Sequence, residues 1–132
     1  MPSRRLRVLI VDDTAIVRVV IRRTLDADGR FEVVGEAPNG RDAIEQSIAC
    51  QPDIVLLDLA MPEMDGLEAL PHIVVAAPTA RVIVLSAFSP DQMATQAICA
   101  GACAYLEKNR LARELVPGIL AVFDHLLLDA QT

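Results

Sequence analysis

Two adjacent carboxylates, Asp12 and Asp13, a third at Asp58, a hydroxyl at Ser86 and an ammonium at Lys108 are the side chains whose types and spacing could do chemistry together. The first four directly end short apolar runs (VLIV, IVLL, VIVL), and Lys108 follows Tyr105-Leu106-Glu107. Such runs read as strands, so the polar residues fall at strand carboxyl ends. Carboxylates sharing a partly dry crevice repel one another and need compensating cations. A hard divalent ion suits them: Mg²⁺ takes one or two carboxylates and keeps positions for water and a phosphate oxygen. With a metal and a lysine neutralising a transferring phosphoryl group, an aspartate can act as nucleophile toward phosphorus and form an aspartyl phosphate. Lys108 supplies the second cation, and Ser86 a hydroxyl able to donate to a phosphoryl oxygen. Of the 12 basic residues Lys108 alone is lysine, which suggests that a compact ammonium is wanted there.

Taken singly, each residue has a plainer role. Asp13 or Thr14 could cap a helix; Asp58 could end a strand before the turn at Met61-Pro62. Ser86 could be a loop hydroxyl and Lys108 a solvated charge. Their coincidence at the ends of four apolar runs is what points to a site.

The elements that must position them alternate. Apolar runs at Leu6–Val11, Phe31–Val34, Ile54–Leu57, Arg81–Leu85 and Cys103–Leu106 are separated by amphipathic stretches, the pattern of repeated β-α units around a parallel sheet. The first, third and fourth runs are almost continuously apolar, as central strands covered on both faces are; the second alternates and suits an edge. Ile16, Val17, Val20, Ile21 and Leu25 form a helical stripe with Arg18, Arg22 and Arg23 on the other face. Ala43, Ile44, Ser47 and Ile48 mark a second helix after the turn Pro38-Asn39-Gly40. Leu67, Leu70, Ile73 and Val74 mark a third, interrupted by Pro71. A fourth is punctuated by Ser89 as cap, Pro90, Gln92 and a stop at Gly101. A last helix runs from about Leu111 to Leu128, with Pro117-Gly118 expected to kink it or delay its start. The right-handed crossover rule then favours an α/β, doubly wound five-stranded parallel sheet of flavodoxin-like order 2-1-3-4-5, helices on both faces. Its functional crevice is expected at the strand carboxyl ends, where the winding reverses.

Composition narrows the function. A chain of 132 residues with 53% apolar side chains is expected to form a single domain over residues 1–132. A net charge of −6 argues against a nucleic-acid surface. No apolar run reaches the about 20 residues that span a bilayer, and the start is unlike a signal peptide, so a cytoplasmic location without membrane contact is expected. Cys50, Cys99 and Cys103 lack zinc-site spacing and read as reduced core residues.

The ordered set VLIVDDTAIVR, VVGEAPNGRDAIE, PDIVLLDLAMPEMDGLEAL, RVIVLSAF and GACAYLEK resembles a bacterial two-component response-regulator receiver domain over essentially the whole chain. The resemblance implies that Asp58 is the phosphoacceptor and that Asp13 and Asp58 ligate Mg²⁺ directly. The Ala60 backbone carbonyl joins them, and Asp12 acts through water. Ser86 is similar to the switch hydroxyl, Tyr105 to the aromatic that follows it inward, and Lys108 to the phosphoryl-binding ammonium. Also implied are a sensor histidine kinase or phosphotransfer protein as donor, and output through the fourth helix, fifth strand and fifth helix to a protein partner or a homodimer. Catalysis would be limited to the chain's own phosphorylation and slow dephosphorylation.

Asn109 stands where many receivers have a proline after the lysine, often in a cis bond. The form without proline, with VVGEA, resembles receivers of nitrate-response helix-turn-helix regulators. Ala60 and Phe88, two residues beyond acceptor and switch hydroxyl, are apolar, and slow loss of the phosphoryl group is expected. Apolar residues of the last two helices, Met93, Phe123, Leu126, Leu127 and Leu128 among them, could form a partner face or complete the core. Rival readings are a flavin binder, an aspartyl-nucleophile metal-dependent phosphatase and a receiver-like interaction module working without phosphorylation. The first lacks a phosphate loop after the first strand; the second wants an aspartate where Ala60 stands.

Overall fold

In a computed structural model of the protein, residues 4–61, 64–87 and 92–131 are described, except for the side chains of 92–94 and 124–131. Expectations for Phe88, Ser89 and Pro90, and for the side chains of Gln92, Met93, Leu126, Leu127 and Leu128, lie outside the described residues.

The chain runs β1 (Leu6–Val11), α1 (Ala15–Asp28), β2 (Phe31–Ala37), α2 (Gly40–Cys50), β3 (Ile54–Asp58), α3 (Gly66–Ala76), β4 (Arg81–Ser86), α4 (Gln92–Cys99), β5 (Ala104–Glu107), a 3-10 turn (Lys108–Arg110) and α5 (Leu111–Gln131). The five strands are parallel and ordered β2-β1-β3-β4-β5, the doubly wound arrangement expected. Alternation along the central strands divides the core. Val8, Ile10, Ile54, Leu56, Ile83 and Leu85 pack with Ile21 and Leu25 of α1 and Leu115 and Ile119 of α5. Leu9, Val11, Val55, Leu57, Val82 and Val84 pack with Ala69, Leu70 and Ile73 of α3 and Ala97 of α4. All five residues of β3 are buried. Since burying one such aliphatic side chain contributes about 1.5–3 kcal/mol, the strand that carries Asp58 is firmly held, as are β1 and β4 on either side of it.

Several elements depart from the sequence expectation. β2 continues to Ala37 through a bulge, its pairing stepping from Val8↔Val33 to Leu9↔Gly35. Gly35 and Glu36 end the apolar run without ending the strand. In α1 only Val17, Ile21 and Leu25 of the stripe face the core; Ile16 is 73% and Val20 43% exposed. Ile48 of α2 is likewise exposed. Pro71 does not break α3, because it lies on the exposed side, where water can replace the missing hydrogen bond. Nor does Pro117 break α5: Leu115 and Ile119 are buried on either side of it. The cysteines are free as expected but not core, with Cys50 half-buried and Cys99 and Cys103 exposed. No helix among the described residues is long and apolar enough to cross a membrane.

The start of α3 lies tight against the end of β3. Gly66 donates its N–H to the Leu59 carbonyl at 3.1 Å, and Asp65 caps α3 by accepting from Glu68 N. A Cβ on Gly66 would sit 2.0 Å from the Asp58 carbonyl oxygen. Gly66→Ala must therefore push α3 off the Asp58 loop. A loss of about 2–3 kcal/mol in urea unfolding is the expected outcome, and wild-type stability would contradict this packing.

Candidate functional site

Strand register brings the site together. Val11 pairs with Leu57, so Asp12 and Asp58 stand level at the ends of adjacent strands. Asp58 pairs with Leu85, and Ser86 with Glu107, which puts Ser86 and Lys108 at the same sheet edge. Apolar neighbours on both faces leave the side chains at these ends largely dry: Asp12, Asp58 and Ser86 are buried, while Asp13 is exposed.

Asp12 and Asp58 are held alike. Asp12 Oδ1 accepts from the N–H of Thr14 at 2.8 Å, and Asp58 Oδ1 from the N–H of Ala60 at 3.1 Å, each closing a tight turn two residues on. Their other oxygens face one cation. Lys108 Nζ lies 2.8 Å from Asp12 Oδ2 and 3.0 Å from Asp58 Oδ2. Neither Oδ2 finds an aligned hydrogen-bond donor, so the shared ammonium is their compensation among the described residues. Ligand oxygens of Asp12, Asp13 and Asp58 lie within 4.8 Å of one another.

These three carboxylates and one ammonium carry a net charge of −2 when ionised, which a divalent cation would balance. The donor set is all oxygen, is partly dry, and includes two buried oxygens without an aligned donor, so the residues fit Mg²⁺. Burial pushes the Asp58 carboxyl up to about 6; the Lys108 contact and the Ala60 N–H work against this, and the Asp12 charge adds to it. Burial pulls the Lys108 ammonium down, but Asp12 and Asp58 outweigh it and hold it above its ordinary value.

The structure thus gathers Asp12, Asp13, Asp58, Ala60 and Lys108 into one cluster and puts Ser86 beside it at the end of β4. Tyr105 lies on β5 opposite Val84, half-buried against the face covered by α3 and α4. Thr14, not Asp13, is the α1 N-cap, although its side chain makes no capping bond. The Lys108–Asn109 bond is trans, and a 3-10 turn leads into α5. Arg18, read as an outward-facing residue of α1, turns back to donate to the Asp12 carbonyl. No local pattern signals that contact, because it depends on the partner Glu36 across β2.

A five-stranded 2-1-3-4-5 sheet with this acid cluster and lysine at its carboxyl edge defines the receiver class. The chain belongs to the response regulator receiver domain family, whose model matches residues 8–119, and is thus a receiver domain of the two-component response-regulator type. It is 44% identical over 102 residues to the chemotaxis protein CheY of Thermotoga maritima, covering 77% of this chain and 84% of that one. It is 40% identical over 109 residues to a protein-glutamate methylesterase/protein-glutamine glutaminase of Geobacter sulfurreducens, covering 81% of this chain. The chain spans only 30% of that relative's length. Among solved structures, the receiver domain of the putative response regulator NarL from Mycobacterium tuberculosis superposes with a TM-score of 0.84 at 34% identity, covering 90% of this chain and 96% of that one. The CheX-CheY-BeF3-Mg complex of Borrelia burgdorferi also matches at 0.84, with 29% identity and 89% of each chain covered.

The Asp58 carboxyl makes a pH-dependent contribution to stability. Its folded value of about 6 exceeds the ordinary 3.8, so its favourable contribution is full below about pH 4 and is lost as pH rises through about 6. Above that, the ionised side chain destabilises the metal-free fold. Asp58→Asn should then be more stable than wild type by about 2 kcal/mol at pH 7.5 in EDTA, with the gap closing between about pH 6 and 4. Urea titrations across pH measure this; a destabilised variant at pH 7.5 would contradict it.

Proposed function

We propose that residues 1–132 work as one receiver in a cytoplasmic two-component phosphorelay, accepting a phosphoryl group on Asp58 from the phosphohistidine of a sensor histidine kinase or phosphotransfer protein. The observation that carries this reading is the Lys108 ammonium bridging the buried Asp58 and Asp12 carboxylates beside Asp13. In the reaction the ionised Asp58 carboxylate attacks phosphorus, the P–N bond to the donor imidazole breaks, and an acyl phosphate remains on Asp58. Asp12, Asp13, Asp58 and the Ala60 carbonyl would hold Mg²⁺, directly or through water, and the ion would neutralise charge on the transferring group. Lys108 would exchange its contact with Asp58 for a phosphoryl oxygen, and Ser86 would donate to another. The beryllofluoride and magnesium of the Borrelia CheX-CheY complex support the same ligand chemistry for a fold of this kind.

Output would follow from a population shift between two packings in which Ser86 moves toward the phosphoryl group and Tyr105 moves inward, changing the α4-β5-α5 surface. On α4, Ala97 faces the core while Gln96 and Ile98 are exposed, leaving side chains available to a downstream protein or a second copy.

Incubation with Mg²⁺ and a small phosphodonor should add one phosphoryl mass to the wild type, the adduct being lost in EDTA and in Asp58→Asn. An adduct unchanged by that substitution would remove Asp58 from its role. Because the positions two beyond the acceptor and the switch hydroxyl, which in receivers influence the access of attacking water, are the apolar Ala60 and Phe88 in this sequence, the adduct should decay over minutes or longer after donor removal. Decay within seconds, followed by intact mass, would contradict this.

A further inference from the structure

Asp13 is the least anchored of the clustered carboxylates. It is exposed, and the hydrogen bond it accepts from the Thr14 hydroxyl is a long one, 3.5 Å. Its side chain is therefore placed mainly by the backbone from which it springs. That backbone is fixed at Asp12, whose N–H donates to the Ala37 carbonyl at 3.0 Å and whose carbonyl accepts from Arg18 Nη1 at 2.5 Å. The second contact sets the plane of the Asp12–Asp13 peptide. Arg18 is itself held, its Nε lying 3.1 Å from Glu36 Oε1 with its side chain 20% exposed. Glu36 Oε2 receives both Nε and Nη2 of Arg22, and the Glu36 carbonyl accepts from Gln46 at 2.7 Å. Contact with Arg22 keeps the Glu36 carboxyl below its usual range against the opposing effect of burial, so Glu36 stays charged at neutral pH.

We propose that Arg18 is a positioning residue for the metal-binding carboxylates: by clamping the Asp12 carbonyl from an anchor at Glu36, it aims the Asp12–Asp13 peptide so that Asp13 meets Asp58 around the ion. This rests on the reading of the acid cluster as a Mg²⁺ site. Outer partners that orient metal ligands typically change metal affinity by about 10- to 100-fold when removed. The sign of the effect separates positioning from charge. Removing a guanidinium near three carboxylates makes the site more negative, which by charge alone tightens cation binding. Loss of positioning weakens it.

Mg²⁺ titration calorimetry on the full chain, with thermal melts in EDTA as a folding control, tests this. Arg18→Leu should bind Mg²⁺ about tenfold more weakly than wild type. Arg22→Leu makes the same charge change and touches Glu36 but not Asp12; it should bind nearly as wild type does. Arg18→Lys keeps the charge but loses the planar fork that reaches Glu36 through Nε and the Asp12 carbonyl through Nη1; it should fall between, and it stands in for the leucine variant should that fail to fold. Wild-type or tighter binding in a folded Arg18 variant, or equal weakening in Arg22→Leu, would overturn the positioning role while leaving the metal site intact. Failure of the wild type itself to bind Mg²⁺ would overturn the reading on which it rests.

Discussion

One ammonium shared between two buried carboxylates is the constraint on which the rest of this structure depends. Asp12 and Asp58 stand at the same level on adjacent strands, and Lys108 bridges them at 2.8 and 3.0 Å. Without that bridge, two like charges would face each other across a dry sheet edge, where their repulsion is strong. The bridge does not balance the cluster fully. Asp13 brings a further negative charge, and the Asp58 carboxyl is still pushed up to about 6. The charge left over is of the sign that a bound cation would balance. The fold tolerates it because the strands beneath are buried on both faces and pinned by turns at Thr14 and Ala60.

Much of this was legible in the sequence, and what was not has physical reasons. Apolar runs that end in a polar residue mark both a central strand and the edge where its chemistry lies, so β1, β3 and β4 and their terminal carboxylates and hydroxyl could be read directly. The solitary lysine stood out from an arginine background. Harder to read were features that depend on residues far apart in the chain. The bulge that carries β2 to Ala37 follows its pairing to β1, not its own polarity. Ile16 and Val20 obey helical periodicity yet lie at the margins of the buried stripe, because α1 meets the sheet mainly through Ile21 and Leu25. Cys99 and Cys103 look like core residues by type, but the positions they occupy face outward. The inward turn of Arg18 needed both Glu36 and the β1 end in place.

The acid cluster, its lysine and its supporting clamp are built from residues whose contacts are on one sheet edge. Readout would use α4, β5 and α5, where the described residues give an exposed Ile98 and Gln96 and a half-buried Tyr105. In the proposed switch, coupling between the two would run through β4 and β5, the neighbouring strands that carry Ser86 and Tyr105.

Of the two carboxylates that Lys108 bridges, Asp58 is the one proposed to take the phosphoryl group. Borohydride reduction of the phosphorylated chain converts an acyl phosphate to an alcohol, and peptide mass mapping then locates it. Homoserine is expected at position 58, with Asp12 and Asp13 unreduced. Reduction at Asp12 or Asp13 with Asp58 intact would contradict it.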